Sequence, residues 1–287
     1  MYNTIVVGYD ESESSKAALK EASLRVKSRN GRLYLVHAVY FDQEEFAILP
    51  SQMEKRFEMG THVCKMAKQE LQTQYGLNGS VESFVCEGEP PEVLVDIARG
   101  KKADLIALGT YGRKGLNRLL MGSVTSQVIL DATCDVLVVK RPCKECTGSY
   151  QSLLVPYDGS EFSKKALTRA AGMAKEEGGQ VTVLYVIPRY EEMMEFYRSD
   201  SIKKSLHAEA EKILGEAKKI ATRLGITIRT EVREGHASDE IVAVAQKLEN
   251  DLIAMGTYGW KGVNNAIIGS TTNRVISNAS CPILVVK

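Results

Sequence analysis

Residues 109–140 read GTYGRKGLNRLLMGSVTSQVILDATCDVLVVK and residues 256–287 read GTYGWKGVNNAIIGSTTNRVISNASCPILVVK. Aligned without a gap at an offset of 147, the two segments are identical at 18 of 32 positions. Nearer the start, Val7-Gly8-Tyr9-Asp10 corresponds to Val155-Pro156-Tyr157-Asp158 at an offset of 148, so one residue has been gained or lost between the two blocks. A chain that carries one unit twice has to fold as two copies of one structure. The total of 287 residues agrees with this, since a domain takes roughly 150. The boundaries expected from the repeat are 1–140 and 151–287, joined by the short polar stretch 141–150, RPCKECTGSY.

Within each copy the same alternation of patterns recurs. Apolar, β-branched runs lie near residues 4–8, 33–39, 81–85, 104–108 and 136–140, and again near 152–156, 181–187, 227–232, 251–255 and 283–286. These runs are continuous rather than alternating, as in strands of a parallel sheet covered on both faces. Helical spacing fills the gaps: Ala18, Ala22 and Val26 recur every fourth residue, as do Ala166, Ala170 and Ala174. Small residues on that face let a helix lie close to a sheet. Pro90-Pro91 marks a helix start, where proline is well tolerated. Five strands alternating with helices predict α/β architecture: two tandem open, doubly wound, five-stranded parallel sheets of Rossmann-like type. Ligands of such sheets bind outside the carboxyl ends of the strands, where strand order reverses. The loops after strands one, two and four are therefore the ones to inspect.

Charge weakens a nucleic-acid reading. Residues 1–147 hold 19 basic and 19 acidic residues and the remainder 18 and 17, so neither half is the basic body that neutralising many phosphates demands. No apolar run approaches the ~20 residues that span a bilayer, and the opening Met1-Tyr2-Asn3-Thr4 lacks the basic start of a signal peptide. The expectation is a cytoplasmic protein with no membrane association. Its 6 cysteines are too few and too scattered for a disulfide scaffold.

After the fourth strand comes Gly109-x2-Gly112-x9-Gly122-Ser123, and in the second copy Gly256-x2-Gly259-x9-Gly269-Ser270. Each loop leaves a strand and enters a helix at the Gly-Ser pair. Glycines admit positive φ and close backbone approach, so that peptide N–H groups can converge on an anion. A helix N-terminus adds unpaired N–H groups and partial positive charge, a natural seat for phosphate. Ser123 and Thr125, with Ser270 and Thr272, are expected to add hydroxyl donors there. A purely structural alternative makes Ser123 and Ser270 helix N-caps bonded to the first turn. Recurrence of the whole spacing at the same place in both copies favours the phosphate reading. No G-x-x-x-x-G-K-[ST] loop and no G-x-G-x-x-G after a first strand is present.

With the first strand ending near Asp10 or Asp158, the G-2x-G-9x-G-S loop and the closing strands CDVLVV and CPILVV, the chain resembles the universal stress protein family in its tandem, two-domain form. The resemblance spans nearly the whole chain, and the glycine spacing is that of the ATP-binding branch. It implies strand order 3-2-1-4-5 in each domain, adenosine against the ends of strands one and two, and phosphates over the glycine loop. Carried onto this sequence, Gly8, Asp10 and Ala38 lie on the adenosine side, followed by Leu108, Gly109 and Gly112, with Gly122, Ser123, Val124 and Thr125 at the phosphates. The second site comprises Pro156, Asp158 and Val186, then Met255, Gly256 and Gly259, with Gly269, Ser270, Thr271 and Thr272. Asp10 and Asp158 have a structural alternative as caps of the helix that follows. Two departures stand out: Glu11 where the second copy has Gly159, and Asp135 where it has Pro282.

The function implied is a nucleotide-dependent stress-response regulator that holds ATP, with ADP and AMP as alternatives, at one site per domain. A divalent Mg²⁺ or Mn²⁺ would accompany the triphosphate, bound mainly through phosphate and water. The alternative is a slow ATPase or autophosphorylating enzyme of the same fold. No catalytic residue is assigned, because no lysine or arginine clamp or general base follows from the motif. The fifth strands are sheet edges that invite pairing. The resemblance implies pairing of the two domains through them, with a homodimer of tandem chains as a further possibility.

Other signals point to structure. Cys143 and Cys146 form a single C-x2-C in the linker, without the four ligands of a zinc site or the helix start of a redox motif. Cys134 and Cys281 are expected to be small buried residues before the fifth strands. His37, His62, His207 and His236 do not cluster, and Trp260 stands where the first glycine loop has Arg113.

Overall fold

The computed structural model describes residues 1–40, 50–110, 121–140, 148–188, 200–257 and 268–287. Gly112, Gly259, Arg113, Trp260, Cys143 and Cys146 lie outside the described residues. The chain divides into two compact units, Tyr2–Ser149 and Tyr150–Lys287. Tyr150, inside the stretch expected to be linker, is buried and donates its backbone N–H to the Glu177 carboxylate at 2.7 Å.

The first unit runs β1 (Thr4–Gly8), α1 (Glu13–Arg29), β2 (Arg32–Val39), α2 (Pro50–Tyr75), β3 (Val81–Glu87), α3 (Pro90–Gly100), β4 (Leu105–Gly109), α4 (Ser123–Asp131) and β5 (Asp135–Val139). All its strand pairings are parallel, and their order is β3-β2-β1-β4-β5. The second runs β6 (Ser152–Pro156), α5 (Glu161–Glu177), β7 (Gln180–Pro188), α6 (Asp200–Arg223), β8 (Ile228–Gly235), α7 (Ala237–Lys247), β9 (Leu252–Gly256), α8 (Ser270–Asn278) and β10 (Ile283–Val286), in the equivalent parallel order β8-β7-β6-β9-β10. This is the doubly wound α/β fold expected from the repeat. Order reverses between β1 and β4, and between β6 and β9.

Continuous apolar runs occupy the middle of each sheet, where Ile5, Val6 and Val7, like Leu153, Leu154 and Val155, are wholly inaccessible to solvent. β3 and β8 lie at one end of their strand orders and are only partly covered. Helix α1 buries Ala17, Ala18, Ala22 and Val26, and α5 buries Ala166, Leu167, Ala170 and Ala174, so the four-residue spacing marks the packed face in both. The starts of these helices are built alike. Ser12 and Ser160 are the N-caps, each accepting from the backbone N–H three residues on, at 3.2 Å. Their ends also agree: Asn30 (φ 53°) and Gly178 (φ 76°) turn left-handed, with their N–H groups bonded to Val26 and Ala174 carbonyls. Among the described residues no helix is long and apolar enough to cross a membrane.

Candidate functional site

In each unit the predicted site residues fall at the carboxyl ends of three adjacent strands. Gly8 ends β1 and Asp10 follows it, Ala38 is the penultimate residue of β2, and Leu108 and Gly109 end β4. Gly122 is the N-cap of α4, whose first turn is Ser123, Val124 and Thr125. The second unit repeats this with Pro156 and Asp158 after β6, Val186 on β7, Met255 and Gly256 ending β9, Gly269 as the N-cap of α8, and Ser270, Thr271 and Thr272 in its first turn. Leu108 and Met255 are core side chains, so at these two positions only the backbone is open to a ligand.

The turn after the first strand is held by a small polar network. One carboxylate oxygen of Asp10 accepts the Ser12 N–H at 3.0 Å, and the Asp10 N–H donates to the Ser15 hydroxyl at 3.3 Å. Asp158 accepts the Ser160 N–H at the same 3.0 Å. Both aspartates thus brace the turn before the following helix without being its caps, which are Ser12 and Ser160, so the alternative that made them helix caps does not hold. His37 on β2 adds a brace of its own: its Nδ1 lies 2.8 Å from the Tyr9 carbonyl, which makes Nδ1–H the donor. Nothing in the sequence singled out His37, because the repeat places Tyr185 there.

The entrance to the fourth helix bears on three readings of the sequence. Gly122 has φ −65° and Gly269 φ −55°, ordinary values for any residue, and Gly8, Gly109 and Gly256 are not among the glycines of positive φ. Left-handed backbone is therefore not what these positions require. Close approach is. A Cβ on Gly109 would fall 2.8 Å from the Ser14 backbone carbon and closer still to its Oγ, and one on Gly256 would fall 2.6 Å from Phe162 Cβ. A Cβ on Gly8 would meet a Leu108 methyl at 2.6 Å.

The second concerns the N-cap, which the set-aside structural alternative gave to Ser123 and Ser270. Gly122 and Gly269 hold that position and among the described residues no side chain caps either helix, so Ser123 and Ser270 are exposed first-turn residues rather than caps. The third concerns Thr125 and Thr272. Their hydroxyls donate to the Gly109 carbonyl at 2.7 Å and the Gly256 carbonyl at 3.1 Å, so they pin the helix to the strand end instead of presenting a proton outward. The pin is reinforced where the N–H of Gly122 donates to the Thr110 carbonyl (2.7 Å) and that of Gly269 to the Thr257 carbonyl (3.2 Å). Among the described residues, each unit presents a glycine-capped helix start without a side-chain cap, tied by these hydrogen bonds to the carboxyl end of its fourth strand. The opposite arrangement holds at α1 and α5, where a serine fills the cap.

The universal stress protein family model matches residues 1–140 and then matches again over residues 149–287. The chain belongs to the universal stress protein family. It carries two tandem copies of the family's domain. A universal stress protein of Methanocaldococcus jannaschii is 38% identical over 140 residues, which cover 48% of this chain and 82% of the relative. The crystal structure of a universal stress protein from Archaeoglobus fulgidus matches over 100% of this chain and 99% of its own, with a TM-score of 0.71 at 20% identity. A protein of unknown function from Pseudomonas aeruginosa matches over 100% and 92%, with a TM-score of 0.68 at 18% identity. At those identities the two structures speak to the fold, which they share end to end.

Among the described residues no group of three or more histidine, cysteine, aspartate or glutamate side chains is placed to hold a metal ion. Cys64, Cys86, Cys134 and Cys281 are thiols. Cys134 and Cys281 are partly rather than fully buried, although burial still pushes the Cys281 thiol up to about 12.

Proposed function

We propose that each unit binds an adenine nucleotide, with its phosphates at the N-terminus of α4 or α8 and its nucleoside against the ends of the first two strands, and that the chain acts as a cytoplasmic, ATP-responsive regulator. One observation carries this reading: both units put glycine at the cap position of the fourth helix and tie that helix start to the end of the fourth strand, while capping the first helix with serine. Unpaired first-turn N–H groups and the positive end of the helix dipole favour an anion. The site draws its positive potential from backbone, which suits a chain with a net charge of only +1. Gly122, Ser123 and Val124, with Gly269, Ser270 and Thr271, are the residues proposed to meet phosphate. Ala38 and Val186, half-buried on the second strands, are proposed to meet the base. Mg²⁺ or Mn²⁺ would arrive with the triphosphate, held chiefly by phosphate and water, with Asp10 or Asp158 as a carboxylate at the end of the first strand in each unit.

A bound nucleotide regulates by favouring whichever conformation it binds more tightly. Isothermal titration with ATP and Mg²⁺ tests the site directly. The unmodified chain should bind, and the double variant Gly122→Val, Gly269→Val should lose at least tenfold in affinity while keeping its circular dichroism spectrum. Both positions have backbone angles that valine adopts, so folding is expected to survive. Unchanged affinity in the folded double variant would mean that the phosphates sit elsewhere.

A further inference from the structure

Helix α2 packs with one face and turns to solvent another that carries an unusual set of side chains. The packed face holds Gly60, Cys64, Ala67 and Leu71, all buried. The solvent face carries Met59, His62 and Met66. Met59 and Met66 are 57% and 52% exposed, the two most exposed large apolar side chains among the described residues. Methionine is ordinarily a core residue, so two left in water on one helix face forgo burial that would stabilise the chain. The histidines of the chain do not cluster with one another, but His62 stands between thioethers.

The fold does not impose this face. The packed residues of α6 are Ala210, Leu214, Ala217 and Ala221, which match those of α2 at an offset of 150. At that offset Met59, His62 and Met66 fall on Glu209, Lys212 and Glu216, all exposed. The second unit thus has the charged solvent face usual for such a helix, and the first has two thioethers and an imidazole in its place.

Spacing brings the three within reach of one ion. His62 follows Met59 by three residues and precedes Met66 by four, the two intervals at which side chains meet on a helix. At about 1.5 Å and 100° per residue, the three lie within an arc of about 60°, with the methionine Cα atoms about 10.5 Å apart along the axis and the imidazole between them. Methionine has three rotatable bonds, so both sulfurs can swing in towards the imidazole. Two thioethers and an imidazole form a soft, neutral ligand set. Thioether sulfur selects Cu(I) and imidazole also suits copper, whereas Mg²⁺ prefers carboxylate, carbonyl and water oxygen.

We propose that Met59, His62 and Met66 form a surface site for one soft monovalent cation of the Cu(I) type, held by two sulfurs and one imidazole nitrogen. The site does not depend on the nucleotide-binding reading above.

The test uses Ag(I), a redox-stable ion of the same charge and similar softness, in chloride-free buffer. The full chain carries Cys143→Ser and Cys146→Ser, so that the C-x2-C does not compete for the ion. Labelling the methyl groups of the 9 methionines with ¹³C makes each one visible by NMR, and Met59→Leu and Met66→Leu assign the two of interest. Leucine matches methionine closely in size and helix propensity, so both variants should fold. The expected result, with Ag(I) in excess of the remaining thiols, is that the Met59 and Met66 methyls shift together and saturate with one dissociation constant. His62→Ala, Met59→Leu or Met66→Leu should each weaken binding there by at least about tenfold, since the loss of even an outer-shell partner costs a metal site that much. Mg²⁺ should move neither methyl. Met59 and Met66 methyls that stay in place with Ag(I) in excess would overturn the site. A shift of one of them alone, or an affinity unchanged in His62→Ala, would overturn it as well, because the ion would then be held by other groups.

Discussion

Gly109 and Gly256 belong to a ligand motif by spacing and to the core by contact, and the contact is demanding. With Ser14 and Phe162 lying under 3.0 Å from where a Cβ would stand, Gly109→Ala and Gly256→Ala should each destabilise the nucleotide-free chain by about 1–3 kcal/mol, read from urea unfolding. A loss seen only in the presence of nucleotide would mean that their role is confined to binding. Tyr9 supplies a second residue-scale expectation. Its phenol is neutral below its folded value of about 12 and would ionise near 10 in the unfolded chain. Between those values the folded state binds more protons than the unfolded one, so stability falls as pH rises through that window. Absorbance titration should show one phenol ionising near 12, and Tyr9→Phe should remove both that step and its share of the alkaline loss of stability.

Among the elements, the serine-capped α1 and α5 can be set against the glycine-capped α4 and α8, although α3 and α7 also lack a side-chain cap. Ser12→Ala and Ser160→Ala each remove a cap and should cost about 1 kcal/mol of stability in denaturant unfolding. Ser123→Ala and Ser270→Ala remove no cap, so stability should stay within about 0.5 kcal/mol while ATP affinity falls. If the stability of Ser123→Ala drops as far as that of Ser12→Ala, its hydroxyl is a cap after all. Strands and helices were legible because the repeat printed each apolar run twice and because buried parallel strands carry nearly pure aliphatic sequence. Helix entry was legible only to the residue: Gly-Ser marked where α4 and α8 begin, but which of the two residues takes the cap depends on backbone angles that composition does not encode. Likewise Thr125 and Thr272 look like ligand donors in the motif, and only the approach of the Gly109 and Gly256 carbonyls shows where their protons go. His37 left no periodic or repeated trace, since its bond to the Tyr9 carbonyl is a single contact across two strands.

For the molecule as a whole, duplication gives two proposed sites of one design on a chain whose acidic and basic residues nearly cancel. An anion can be held under those conditions because the positive end of the site is made of peptide N–H groups, which leave no mark in the charge count. Two copies also free one to diverge, and the solvent face of α2 against that of α6 is one place where they have done so. The central claim is that each unit seats one adenine nucleotide. Native mass spectrometry of the full chain in excess ATP and Mg²⁺ measures that number directly. Two nucleotide masses per chain are expected, falling to none in the folded Gly122→Val, Gly269→Val variant. A chain that carries no nucleotide mass at saturating ATP, or a double variant that still carries two, would contradict the account.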